Sequence, residues 1–418
     1  MRILLISNRY PADADDHASP FVPYFAEALA ARGVNVDVLT PEYGRATVPT
    51  SDELRAVSGC ESGVGSEFPP SVSVLRFPTG ATEPVGSWNL LNPMSWVKLS
   101  RFLKAGRRAG EELCRTQRYD HILALWALPS GHFAHALSRK FGIPYSVWCL
   151  GSDIYTWARR RIIRDRIAHV LKCATAVFGD GEDLCERIRS WQGIHATFLP
   201  SFRPLEGLED CEPPSPTEAP RYLYLGRLHG DKGIFELLTA FAHVRVALPL
   251  ATLQYVGDGP GKEELEDRAE EMRFYHRHDP DAGSVHIRGA VSHAGVVRAL
   301  RDCDIVVIPT RSDSVPLVLT EAVQAMRPVI ATDVGDLGML IRRYQVGQVV
   351  PSADDSSLAA TMMRMAHQPA FDLRGRTELL VRFDPRRAAK VFCDQVLPAA
   401  GTSAQTKKPE TTAKMVPV

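Results

Sequence analysis

Arg227 and Lys232 stand close together in a glycine-bearing run, Leu225-Gly226-Arg227-Leu228-His229-Gly230-Asp231-Lys232-Gly233. Arg227 offers a planar fork for phosphate oxygens, and Lys232 adds a compact point charge. Gly226 lets the backbone turn tightly, and Gly230 and Gly233 allow a ligand to approach closely. The run follows a strand-like segment and leads into a helical pattern, whose N-terminus adds backbone N–H donors and a partial positive charge. This is the composition of a pyrophosphate clamp. It is not a Walker A loop, because GxxxxGK[ST] is absent here. A glycine-bearing strand–helix turn with a surface Arg and Lys is the alternative.

Two further stretches could serve the same ligand. Val256-Gly257-Asp258-Gly259-Pro260 ends another strand. Gly257 and Gly259 permit close approach, and Pro260 suits the first position of a helix; a plain turn is the competing reading. Asp313 sits in a loop after an apolar strand, and Glu321 follows on the helix opened by Val315-Pro316-Leu317. A carboxylate on that otherwise apolar face needs partners. Ribose hydroxyls would satisfy Glu321, as would a salt bridge in the core.

These residues need strands to carry them. The first half alternates short apolar strands (Ile3–Ile6, Val34–Leu39, Val72–Phe77, Ile122–Trp126, Tyr145–Cys149, Ala176–Phe178, Ala196–Leu199) with helical patterns. Ser19-Pro20 is expected to open the first helix, with Ser19 as its cap. The second half repeats the alternation with Arg221–Leu225, Thr252–Val256, Val285–Arg288, Ile305–Ile308, Val329–Thr332 and Gln348–Val350. Alternation of this kind predicts parallel sheets covered on both faces. The expected fold class is α/β, with two doubly wound Rossmann-like domains facing across a cleft. Residues 1–203 form the first domain, a proline-rich linker covers 204–220, and residues 221–400 form the second. The last helix of that second unit could pack back on the first domain. Residues 44–70 read as an inserted loop, and the polar stretch 401–418 as a disordered tail.

Composition limits the function classes. The 418 residues carry 49 Lys+Arg against 49 Asp+Glu, so no chain-wide basic field for nucleic acid exists. The 8 cysteines show no CxxC pair, which points to a reducing compartment and away from a zinc ribbon. No apolar run approaches a membrane span, so a cytoplasmic protein, peripheral at most on the inner membrane face, is expected. Neither half opens with GxGxxG, which argues against an NAD-dependent dehydrogenase.

The order of motifs is more specific than any one of them. Gly226-Arg227 through Lys232-Gly233, Gly257-Asp258-Gly259-Pro260, Arg288-Gly289, Asp313 through Glu321-Ala322, and Arg327-Pro328 through Gly335 follow one another. The series resembles the nucleotide-sugar domain of the retaining glycosyltransferases of family 4, with the GT-B fold, over about residues 221–370. The resemblance implies that Arg227 and Lys232 neutralise the nucleotide diphosphate and that Glu321 binds ribose. Asp313 stands where the family places the first Glu of its E-x7-E pattern, against the donor sugar. Arg288 and Leu317 fall within the implied donor site, Arg288 as a contact or a brace of the base pocket. The implied donor is a UDP-, GDP- or ADP-sugar, with no other cofactor and no metal.

The first half matches the family less closely. Leu150-Gly151-Ser152-Asp153 resembles its Gly-Ser-Asp strand end, which makes Asp153 a cleft candidate or else a helix cap. Relatives place a His immediately before Gly-Ser-Asp; this chain has Leu150. The usual Gly-Gly loop after the first strand is missing between Asn8 and Ser19. His121, His132 and His135 are read as structural or surface residues. Asp13-Ala14-Asp15 has DxD spacing without a supporting strand, so metal binding there is disfavoured. Two basic amphipathic stretches, around Lys98–Arg108 and Arg159–Lys172, suit an anionic membrane surface or simply a solvated face.

The function expected from all this is retaining transfer of a sugar from a nucleoside-diphosphate sugar to a hydroxyl of a glycan or lipid-linked acceptor. Assembly of a surface polysaccharide or glycolipid is the setting that the resemblance implies. A noncatalytic sugar-nucleotide-binding subunit and a GT-B epimerase or hydrolase are the alternatives.

Overall fold

The computed structural model describes residues 1–12, 16, 19–43, 72–81, 93–279, 282–369 and 371–396. The inserted loop, the DxD stretch and the tail predicted above lie outside them.

In the first half β1 (Arg2–Ile6), α1 (Phe21–Ala30), β2 (Asn35–Glu42), β3 (Val72–Pro78), α2 (Pro93–Thr116), β4 (His121–Leu125), α3 (Ser130–Phe141) and β5 (Tyr145–Cys149) follow in order. They continue into α4 (Ser152–Tyr155), α5 (Arg161–Lys172), β6 (Ala176–Gly179), α6 (Glu182–Arg189) and β7 (Ala196–Phe198). The strands form one parallel sheet in the order β3-β2-β1-β4-β5-β6-β7. Every residue of β4 and β5 is buried, as expected for central strands covered on both faces.

The second half holds β8 (Arg221–Leu225), α7 (Ile234–Ala247), β9 (Thr252–Val256), α8 (Lys262–Glu271), β10 (Val285–Arg288), α9 (His293–Asp302) and β11 (Ile305–Ile308). After these come α10 (Leu317–Gln324), β12 (Val329–Thr332), α11 (Leu337–Tyr344), β13 (Gly347–Val350), α12 (Asp355–His367), α13 (Leu373–Phe383) and α14 (Pro385–Val396). Its parallel sheet runs β10-β9-β8-β11-β12-β13, with the strand order reversing between β8 and β11. In such a sheet ligands bind beyond the carboxyl ends of the strands, at that reversal. The two doubly wound domains are therefore present as predicted.

Two local details differ from expectation, and a third agrees with it. Ser19 lies at φ +57°, and Pro20 takes the cap position of α1 in its place, while the Ser19 carbonyl accepts from the Val22 N–H at 3.1 Å. The segment after Arg203 is no free linker, because Leu205, Leu208 and Cys211 are buried in the core of the second domain. Its proline spacing hid three anchoring apolar residues. The last helix, α14, does return to the first domain. Phe392 packs there against Phe25 and Phe178, with ring centroids 5.9 and 5.8 Å apart.

Candidate active site

The glycine loops of the second domain nest on one another at the carboxyl end of its sheet. Gly226 donates its N–H to the Val256 carbonyl at 3.0 Å. Gly257 has φ +140°, and a Cβ there would stand 1.9 Å from the Gly226 carbonyl oxygen. Gly259 abuts the Leu228 carbonyl in the same way. Loop-on-loop packing thus demands glycine at these positions, whether or not a ligand approaches. The neighbouring Arg288 ends β10, and its carbonyl accepts from the Gly257 N–H at 3.3 Å.

Arg227 projects as an exposed side chain from this rim, and its carbonyl accepts from the Tyr224 hydroxyl at 2.7 Å. Lys232 ends a 3-10 turn, Gly230–Lys232, and donates to Asp313 Oδ2 at 2.6 Å. The loops after β8 and β11 therefore bring together two of the predicted catalytic residues, and a third, Arg227, is carried on the first of those loops. Both members of the pair are partly exposed. Cationic groups held in this way can meet an anionic leaving group without further rearrangement.

Glu321 is placed differently from the ribose reading. It is buried in α10, and Arg203 Nη2 reaches its Oε1 at 2.7 Å while Nε donates to the same oxygen at 2.8 Å. This is the salt-bridged core carboxylate that the sequence left open. Leu317, at the start of α10, packs against the core of the first domain. It therefore spans the domain boundary. Leu150 packs against that same apolar cluster.

Asp153 corrects its prediction as a cleft residue. It is fully buried and accepts from the Ala127 N–H at 2.9 Å and the Leu150 N–H at 3.3 Å. It is no helix cap either, since Gly151 holds that position. Burial pushes its carboxyl pKa up, and the backbone donors oppose that shift. Asp153 positions the loops after β4 and β5.

Four residues that sequence reasoning missed complete the arrangement. Asp336, from the second domain, accepts from the backbone N–H groups of Glu182 and of Asp183, the latter at 2.9 Å. It thus caps α6 of the first domain from across the cleft. Arg382 forms an ion pair with Glu182 at the same seam. Asp180 is buried at the end of β6, and burial pushes its carboxyl well above the usual range, with Asp153, Asp313 and Asp336 adding to the effect. The Ser314 hydroxyl lies near enough to oppose that shift, although Asp180 Oδ1 and Ser314 Oγ make no well-formed hydrogen bond. A signal for Asp180 did exist: Asp180-Gly181 follows its strand just as Gly151-Ser152-Asp153 follows β5. Arg203 is the fourth, and it carried no local signal.

The family model described as "Glycosyl transferase 4-like domain" matches residues 18–199, and the one described as "Glycosyl transferases group 1" matches residues 219–368. The chain belongs to the family 4, group 1 glycosyltransferases. Membership joins the two domains described above into one GT-B unit. The chain is 27% identical over 298 residues to TuaC of Bacillus subtilis, which carries a provisional designation as a teichuronic acid biosynthesis glycosyltransferase. That match covers 68% of this chain and 72% of TuaC. The fold is similar to sucrose-phosphate synthase of Thermosynechococcus elongatus, with a TM-score of 0.71 and 21% identity over 94% of this chain and 97% of that one. It is also similar to Anabaena HepE solved with UDP-glucose, with a TM-score of 0.63 and 13% identity over 94% and 99% of the two chains. In this glycosyltransferase Arg227, Lys232 and Asp313 lie on the second domain, and the Gly-Ser-Asp loop of the first domain approaches the loop after β11. The built Cβ of Gly151 meets Ser314 Cβ at 3.4 Å.

Proposed function

We propose that this glycosyltransferase moves a sugar from a nucleoside diphosphate to a hydroxyl with retention of anomeric configuration. The observation that carries the reading is the Lys232–Asp313 pair at the carboxyl ends of β8 and β11, with the exposed Arg227 on the loop that carries Lys232. In the step proposed, the bond from the anomeric carbon to the diphosphate oxygen breaks. The acceptor oxygen bonds to that carbon on the same face, and its proton passes to the departing diphosphate. Arg227 and Lys232 stabilise the charge that grows on the leaving group, a role open to fixed cations in place of a metal. Asp313 orients Lys232 and reaches the donor sugar. Closure of the domains would exclude water and suppress donor hydrolysis.

The setting proposed is surface polysaccharide or glycolipid assembly, with a glycan or lipid-linked acceptor and a cytoplasmic location at the membrane face. No helix among the described residues is long and apolar enough to cross a membrane. Exposed Met94 and Val97 on α2 and Ile162 on α5 lie beside basic residues, which suits contact with anionic lipid. A noncatalytic nucleotide-sugar-binding subunit is the second reading. It is favoured by Leu150, which packs as an apolar residue where the family resemblance implies a His.

Titrating UDP, GDP and ADP calorimetrically into wild type and Arg227→Ala tests the reading. Tight binding of one nucleotide, lost in the variant, supports the clamp, and HepE makes UDP the first choice. Turnover of the matching donor with acceptors, read by the configuration of the product, then tests retention. Binding without turnover across acceptors selects the subunit reading. Acceptor-independent turnover selects an epimerase or hydrolase. Absence of binding by all three nucleotides overturns the clamp.

A further inference from the structure

A trough of about 420 Å³ lies between α2, α3 and α5, away from the glycine loops. His135 of α3 and His169 of α5 line it. Cys173 follows His169 at the end of α5, four residues on, so the two side chains share one helix face. One ligand atom from each of His135, His169 and Cys173 lies within 4.8 Å of the other two. A tetrahedral zinc site holds its ligand atoms about 3.5 Å apart, given metal–ligand bonds of about 2.0–2.3 Å. His169 and Cys173 are both exposed, and rotation of their side chains can close that difference.

The hydrogen bonding behind His135 fixes which nitrogen is available. The Tyr145 hydroxyl donates its one proton to the Val170 carbonyl at 2.5 Å. It must then accept from His135 Nδ1–H, 3.2 Å away. That assignment leaves Nε2 with a free lone pair. Ligating histidines are ordinarily held in this way, through the second ring nitrogen.

We propose that His135, His169 and Cys173 form a three-ligand site for a zinc-class divalent cation. Two imidazoles and a thiolate suit zinc over magnesium or calcium, which prefer oxygen. Three protein ligands leave a fourth position open. Arg107, Lys140, Arg139 and Arg166 line the same trough, the first two of them paired with Glu111. They raise the cost of a bare dication and favour an anion in that fourth position, while the Cys173 thiolate offsets part of the charge. The bound ion would pin the end of α5 to α3. The site is outside the donor cleft, so its test does not depend on the transferase reading.

The test is cobalt(II) titration of the reduced, untagged, metal-stripped chain, read by the thiolate-to-cobalt charge-transfer band and by tetrahedral visible absorption. One equivalent of cobalt should develop both signals, and zinc should bleach them. Cys173→Ser should abolish the charge-transfer band, and His169→Gln should weaken binding at least tenfold. Both side chains are exposed, so the variants should keep the wild-type circular dichroism. Absence of the band in wild type overturns the site. So does a band that survives Cys173→Ser, since it would belong to another thiol.

Discussion

Arg203 and Glu321 form a buried ion pair at 2.7 Å across 118 residues of sequence. The pair ties the last residue before the crossover segment to the helix that faces the cleft. Removing one member leaves an uncompensated buried charge, which costs about 3–5 kcal/mol. Glu321→Ala should therefore lower stability by that amount in urea unfolding, and Arg203→Met/Glu321→Met should recover most of it. A single variant within about 1 kcal/mol of wild type would show that the pair is dispensable.

The clamp residues should behave differently from that pair. Arg227 is exposed, so Arg227→Ala should leave stability unchanged while nucleotide affinity falls about tenfold to a hundredfold, the loss expected for one charge-assisted hydrogen bond. Lys232→Ala should lower kcat as well, because in the step proposed above its charge meets the leaving group. Equal nucleotide affinity of Arg227→Ala and wild type, measured calorimetrically, would remove Arg227 from the donor site.

Asp336 caps α6 from the opposite domain. Asp336→Ala should cost about 1 kcal/mol, as caps do. It should also enlarge the radius of gyration in small-angle scattering, since one seam between the domains is lost. An unchanged scattering profile would mean that the other contacts at this seam suffice.

His121 supplies a pH signature. It is buried and bonded to Ser146 Oγ at 2.9 Å, and burial lowers its pKa from 6.5 to about 4. The folded chain therefore holds it neutral while the unfolded chain protonates it. Stability from this group is fully present above pH 6.5 and is lost as pH falls towards 4. The total is about 3 kcal/mol, from a shift of about 2.5 pH units. His121→Gln should flatten that part of the stability profile, and denaturant midpoints at intervals between pH 7 and 4 will show whether it does.

Strand positions were readable because short apolar runs separated by helical patterns admit few other structures. Arg221–Leu225, Thr252–Val256, Val285–Arg288, Ile305–Ile308 and Val329–Thr332 occur with the predicted bounds. That Lys232 and Asp313 lie at one end of the second sheet was legible, because each follows a strand in a motif of fixed order. Asp153 was not, since a carboxylate serving loop N–H groups has the same local sequence as one facing a ligand. Arg203 and Asp336 act on partners more than a hundred residues distant, and no local periodicity encodes such pairings. The segment after Arg203 was misread because its prolines and acids outnumber the three apolar residues that dock it.

The return of α14 also orders events during synthesis. Ala388, Ala389, Phe392 and Cys393 belong to the core beneath β1, β2 and β4, whose other buried members are made before residue 200. The first sheet consequently leaves the ribosome with one face unfinished and stays so while the whole second domain is translated. Chains stalled inside that domain would expose Phe25, Trp148 and Phe178 together, a surface that chaperones bind and that aggregates readily.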